Sequence, residues 1–193
     1  MSQVLDALNL LDPELWVVTG GNLEAEQTNA LVATFVSNAS IDPAHPRFLV
    51  GLAKSHRTAE LILEHGFCGL HLLTPDQADL AFHLGTQSGH HGDKLTEIPL
   101  KAGTSGVPLL ENCLAVLEGQ VVSVVDLGDR WLFVVMIIEA QSSQNLAPLR
   151  LHEWLDACSE EHHEILDALL VKDAYRDREQ IEQWLNHLAD PED

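Results

Sequence analysis

Asn29-Ala30-Leu31-Val32-Ala33-Thr34-Phe35-Val36-Ser37-Asn38-Ala39-Ser40, followed at once by Ile41-Asp42-Pro43, is the stretch from which the fold can be read. Its centre, Ala30 to Ser37, is apolar and β-prone, and Asn, Asp and Pro close it, so it is expected to be a strand. The same grammar recurs outward in both directions. Leu15 to Thr19, Phe48 to Ala53, Cys68 to Leu73, Leu114 to Val125 and Trp131 to Ala140 are rich in Val, Leu, Ile or Phe and bounded by turn residues. Asp126-Leu127-Gly128-Asp129 reads as the hairpin turn between the last two, and Gly103 to Pro108 as a polar loop containing glycine. Two helices are expected between the strands: His56 to His65, and Pro75 to Leu84 with a Thr74-Pro75 start signal. Six strands and two packing helices make a mainly β domain.

Beyond residue 147 the period changes. Leu151, Trp154, Leu155 and Cys158 fall at i, i+3, i+4 and i+7, and Ile181, Trp184, Leu185 and Leu188 repeat that spacing. Ile165, Leu166, Leu169 and Leu170 form a third apolar stripe. The chain therefore divides into a β domain, 1–147, and an acidic helical C-terminal extension, 148–193. Its helices need a surface to cover: the barrel, one another or a second subunit.

The charge is lopsided. Among 193 residues, 30 Asp and Glu face 10 Lys and Arg, for a formal charge of -20. Such a surface repels nucleic acid and anionic membrane, so neither is an expected partner. No apolar run approaches the roughly 20 residues of a membrane-spanning helix. Met1 to Leu11 lacks a basic n-region and a cleavage site, and a cytoplasmic location is expected. Cys68, Cys113 and Cys158 lack paired spacing and read as reduced, mostly buried thiols.

The segment 29–40 resembles the flavin reductase-like FMN-binding family, and is most like the flavin reductase domain at the C-terminus of cyanobacterial flavodiiron proteins. The resemblance continues through Leu52-Ala53-Lys54-Ser55-His56-Arg57-Thr58, Ser88-Gly89 with Asp93-Lys94-Leu95, Pro108 to Glu111 and Gly128 to Phe133, covering about residues 14–140. It implies a Greek-key split β-barrel with packing helices, a homodimer with FMN at or near the subunit boundary, and NADH or NADPH as co-substrate. The residues fit that chemistry. An isoalloxazine ring needs a flat, mostly apolar slot with a few polar groups, which Thr34, Phe35, Val36, Ser37, Asn38 and Ser40 offer. Ala53, Lys54, Ser55, Arg57 and Thr58 lie at a predicted helix start, where open N–H groups and positive charge favour a phosphate. The same two segments could be an ordinary barrel strand and helix cap.

Two further residues and two histidine pairs stand out. Lys94 keeps the family's charged pair while Leu95 replaces its aromatic residue, and the lysine is read either as a phosphate ligand or as a solvated surface residue. Arg130 stands where reductases of this family carry a histidine near the nicotinamide or the reactive edge of the flavin. An arginine cannot give up its proton in the working pH range, but could stabilise a reduced, anionic flavin or bind a nicotinamide dinucleotide phosphate. It could equally pair with an aspartate of its own hairpin. His90-His91 and His162-His163 invite a metal reading, but adjacent residues rarely reach one ion; the first pair is read as loop residues and the second as a solvated helix face, with no metal expected. The leading functional expectation is a flavin reductase transferring hydride from NADH or NADPH to flavin. The alternatives are an FMN electron carrier reduced by a redox protein partner, and a non-catalytic flavin-binding module.

Overall fold

The computed structural model describes residues 3–90, 92–143 and 146–189. A short helix α1 (Gln3–Leu8) precedes strands β1 (Trp16–Asn22), β2 (Gln27–Ala33), β3 (Val36–Asn38) and β4 (Arg47–Ala53). Then come α2 (Arg57–His65), β5 (Phe67–Leu72) and α3 (Ala78–Thr86), entered through a 3₁₀ turn. The short strands β6 (Leu100–Ala102) and β7 (Pro108–Leu110) are followed by the long pair β8 (Ala115–Asp126) and β9 (Arg130–Ser142), and by helices α4 (Leu151–Ala157) and α5 (Glu160–Ala189).

Seven strands form one antiparallel sheet in the order β2-β1-β5-β8-β9-β4-β3. Its two edges, β2 and β3, are neighbours in sequence. The stretch expected to be a single strand over Ala30–Ser37 is thus two strands at opposite edges, with Thr34 and Phe35 between them. Ala33 pairs with Trp16 on β1, whereas the Phe35 carbonyl already accepts the Gly51 amide (2.8 Å) and Val36 pairs with Val50 on β4. Only a strongly curled sheet allows so short a bridge, and the curl makes the split barrel. Bulges at Glu118/Gly119 and Val121/Ser123 let β8 and β9 bend with it.

Period-2 alternation divides the apolar residues between two cores. One holds Val18, Leu31, Val50, Leu70, Phe133 and Val135 with Ala59 and Ile62 of α2. Gly20 permits this helix to lie against β1, since a Cβ there would meet Ile62 at 2.7 Å and the Thr58 carbonyl oxygen at 2.9 Å. The other core joins Leu15, Val17, Leu73, Leu84, Leu109 and Leu149 to α3 and α4, and the Trp154 indole N–H donates to the Ala78 carbonyl (3.1 Å).

The helical extension departs from expectation in one respect. The second and third stripes belong to one 30-residue helix, α5, because nothing between Glu160 and Ala189 is Gly or Pro. His162 is not on a solvated face: its ring stacks on Phe82 at 3.6 Å between centroids, tying α5 to α3. The β6–β7 pair surrounds the expected loop at Gly103–Pro108, whose Thr104 and Ser105 amides donate to the buried Glu118 carboxylate (2.8 and 2.6 Å). The three cysteines form no disulfide; Cys68 and Cys113 are buried and Cys158 is partly so.

His71 links three strands. Its Nε2 accepts the Leu110 amide (3.0 Å), which leaves Nδ1–H to donate to the Val17 carbonyl (3.0 Å) in the neutral ring. Burial pushes its pKa down to about 4, partly opposed by the Val17 hydrogen bond. The unfolded chain protonates this imidazole near pH 6.5 and the folded chain only near 4, so the unfolded state binds the extra proton in between. Stability is therefore expected to fall as pH drops from about 6.5 towards 4, with a contribution from this residue of roughly 3 kcal/mol. In urea titrations across this window, His71→Gln should show a shallower pH dependence than the wild type.

Candidate functional site

Two adjoining cavities open at the split of the barrel, beneath α5. The larger, about 650 Å³, is floored by Leu31 to Phe35, Gly51 to Ala53 and Arg130, and roofed by α5 residues from Leu170 to Glu182. The smaller, about 180 Å³, lies between the start of α2, the 84–94 segment and α5. They share Leu31, Val32, His56, Asp173 and Arg176 and so lie side by side.

The structure separates the sequence-predicted residues into those lining this space and those elsewhere. Thr34, Phe35, Ala53 and Arg130 line the larger cavity, and Ser55, Arg57, Thr58 and Lys94 the smaller. Val36, Ser37, Asn38, Ser40 and Lys54 line neither. Ser37 and Asn38 are exposed on the edge strand, and Val36 is buried in the core. The Ser40 hydroxyl donates to the His45 carbonyl (2.8 Å), closing the following turn. Lys54 pairs with Asp126 at 2.6 Å across the mouth of the β8–β9 hairpin.

Of the two readings of Lys94, the solvated one does not hold. The residue is 5 % exposed, and its ammonium donates to the carbonyls of Leu84 and Gln87 (3.0 Å each) at the C-terminal end of α3, where a cation suits the helix dipole. One of its three N–H groups is left over. Burial pushes its pKa down to about 8. The neighbouring pair divides: His90 bonds through Nε2 with the Ser55 carbonyl (3.1 Å) and lines the smaller cavity, whereas His91 lies outside the described residues.

Arg130 is held on both sides. Its guanidinium pairs with Asp129 of its own hairpin and with Asp177 of α5 (3.3 Å), and lies 5.0 Å from the Phe35 ring centroid in a cation–π contact. Asp177 also receives Arg176 (2.7 Å), which in turn pairs with Asp173 (2.8 Å). The chain of charges Asp129, Arg130, Asp177, Arg176, Asp173 pins α5 over the larger cavity. The helix also needs Gly128: at φ +87° it turns the hairpin, and a Cβ there would meet Trp184 Cβ at 2.7 Å and the Gln180 carbonyl oxygen at 2.9 Å.

Sequence reasoning passed over Asn29, His56 and the whole α5 contribution. Asn29 holds the smaller cavity together, accepting from the Thr58 hydroxyl (2.9 Å) and donating to the Gly89 carbonyl (3.3 Å). On α5 the available signal was spacing: Lys172 with Arg176, and Asp173 with Asp177, repeat at i, i+4 and so share one face. Among the described residues, the buried Ser55 Oγ and His56 Nδ1 have no hydrogen-bond partner. Buried polar atoms are rarely left so, and both belong to the walls of this space. Burial holds His56 below the ordinary imidazole pKa, with Asp173 pulling the other way, so the ring is neutral near pH 7.

A curled antiparallel sheet whose edges are joined by two residues, with a ligand-sized cavity at the join, defines the class: a split β-barrel with a cavity at its seam. The chain belongs to the family of the flavin reductase like domain, whose model matches residues 12–153. It is 28% identical over 127 residues to diflavin flavoprotein A 3 of Synechocystis, an alignment covering 65% of this chain and 21% of that protein. It thus spans about a fifth to a quarter of the curated relatives it matches. Among solved structures, the FMN-binding protein of Thermus thermophilus with bound p-hydroxybenzaldehyde is 28% identical, with a TM-score of 0.63 over 69% of this chain and 74% of that one. Flavoredoxin of Methanosarcina acetivorans is 25% identical with a TM-score of 0.63, covering 69% and 70%. Helix α5 lies beyond the matched residues.

If the ion chain pins α5, Asp177→Asn should release it. Removing one partner of a largely buried pair costs about 3 to 5 kcal/mol when fully desolvated, and Arg130 retains some solvent, so a loss of roughly 1 to 2 kcal/mol is expected. Hydrogen exchange should speed up in α5 while β1, β5 and β8 keep their protection.

Proposed function

We propose that this protein binds FMN in the joined cavities and acts as a flavin reductase, accepting hydride from NADH or NADPH. The observation that carries the reading is the shape and chemistry of the space. Ligand pockets run from about 300 to 1,000 Å³; the 650 Å³ compartment suits a ring system, and the 180 Å³ compartment is too small for anything but a head group. A flavin mononucleotide is such a two-part ligand, and the Thermus relative is described as binding FMN. Phe35, Leu31, Leu52 and Ala53 would offer the ring apolar walls, while Ser55, His56, Arg57 and Lys94 would serve the phosphate side. The bound flavin supplies the hydride-accepting chemistry, and the chain's own work is to orient it and exclude water.

A second reading has one observation in its favour. Arg130, at the position of the family histidine, is neutralised by Asp129 and Asp177, which leaves little free charge to receive a nicotinamide dinucleotide phosphate. An electron carrier reduced by a protein partner would not need it, and the acidic surface suits a basic partner. We further propose a cytoplasmic homodimer. Val122, Val124, Val125 and Ile138 on the β8–β9 ribbon are exposed apolar side chains that a second copy would cover.

The protein as purified, or after incubation with FMN and desalting, should be yellow, with flavin bands in its visible absorbance spectrum. Rapid NADH or NADPH oxidation by that holoprotein supports the reductase; colour without oxidation supports the carrier; a protein that takes up no flavin sinks both. Lys94 adds a pH test. A phosphate beside it favours the protonated form, so binding should raise its pKa above about 8. The preference for FMN over riboflavin should hold between about pH 6, where the phosphate gains its second charge, and pH 8, and then decline as pH rises further. Titrations at constant ionic strength that show a flat preference from pH 7 to 10 would remove Lys94 from the phosphate side.

A further inference from the structure

The smaller cavity gathers positive charge in a molecule that has little of it. Four of the ten Lys and Arg residues line it: Arg57, Lys94, Lys172 and Arg176. Two of them come from α5, outside the family-matched residues. The region 151–193 holds 13 acidic and only 3 basic residues, Lys172, Arg176 and Arg178, and all three line one or other cavity.

The charges do not simply cancel one another. Arg57 pairs with Glu60 (2.9 Å), and Arg176 with Asp173 and Asp177, so these four cations face three carboxylates and the pocket keeps a net positive charge against -20 for the whole chain. Lys172 is exposed and forms no ion pair among the described residues. Arg176 is fixed in direction by its two aspartates, yet a guanidinium has five N–H donors and these pairs do not exhaust them. The unpartnered Ser55 hydroxyl completes the wall opposite α5.

We propose that α5 supplies the second jaw of a phosphomonoester clamp, with Lys172 and Arg176 closing on the phosphate of the bound flavin nucleotide from the side opposite Ser55 and Lys94. The inference rests on the flavin reading above. It makes the C-terminal helix a determinant of which flavin is held, FMN over riboflavin, rather than a cover. Adjacency to the ring-sized compartment, with which it shares five lining residues, is the reason to assign the phosphate to the flavin and not to the 2′-phosphate of NADPH.

The test uses the full-length chain, with FMN, riboflavin, NADPH and NADH titrated against the wild type, Lys172→Ala, Arg176→Gln and the double variant. Charge-assisted hydrogen bonds to phosphate, discounted for the exposure of Lys172, predict a loss of FMN affinity of roughly fivefold to tenfold for Lys172→Ala with riboflavin affinity unchanged. Arg176→Gln, which also opens the ion chain, should lose roughly fivefold to tenfold more for FMN than for riboflavin, and the double variant about fiftyfold more. Unchanged riboflavin affinity in Lys172→Ala, which lies outside the ion chain, shows that α5 is still in place. Equal losses for both flavins in Lys172→Ala, or no loss for either, overturn the clamp while leaving flavin binding intact. Weakening of NADPH but not of FMN overturns the assignment to the flavin phosphate. A wild type that binds neither flavin removes the underlying reading along with it.

Discussion

The whole architecture depends on a two-residue bridge. Ala33 is hydrogen-bonded into one edge of the sheet and Val36 into the other, and Thr34 and Phe35 must span the gap. A flat seven-stranded sheet would hold its edges some six strand spacings, or about 29 Å, apart, far beyond what two residues can cross. The sheet therefore has to curl, and the seam this leaves is where α5 lies and where the cavities form. Site and closure have one cause: the chain opens a hole in the barrel at the place where it sews the barrel shut.

Around that seam the protein spends its scarce cations. Arg130 and Arg176 alternate with Asp129, Asp177 and Asp173, so a helix drawn from a strongly acidic segment is fastened to an acidic barrel by a few well-placed pairs. Such pairs at the surface would be worth little, but Asp129 and Asp177 are largely buried, and a carboxylate out of water needs its partner.

Much of this was legible in the sequence, for identifiable reasons. The long strands, β8 and β9 above all, announce themselves through apolar runs bounded by Asp126 and Gly128, and the family resemblance in residues 14–140 agrees with the matched model. The break at Thr34 was hidden because both residues of the bridge are good strand formers, so pattern cannot mark a change of sheet edge. Strands of three residues, such as Leu100–Ala102, are too short for any period to show. At the site, the residues singled out in the helix-start segment 53–58 line the cavities except for Lys54, which a carboxylate 72 positions later in the chain claims instead. The α5 residues were missed because the eye follows apolar stripes along a helix, and here the informative face carries alternating charge.

One consequence follows from the build of α5 itself. Thirty residues at 1.5 Å each make a rod of about 45 Å, and with no glycine or proline inside it the rod has no joint. It is stapled at three places along its length: His162 on Phe82, the Arg176–Asp177 pair beside Arg130, and Trp184 against Gly128. The roof over the cavities therefore moves only as a unit, by tilting against these contacts. The width of that opening is then a mechanical property of a helix, set in part by His162 and Trp184, which line neither cavity.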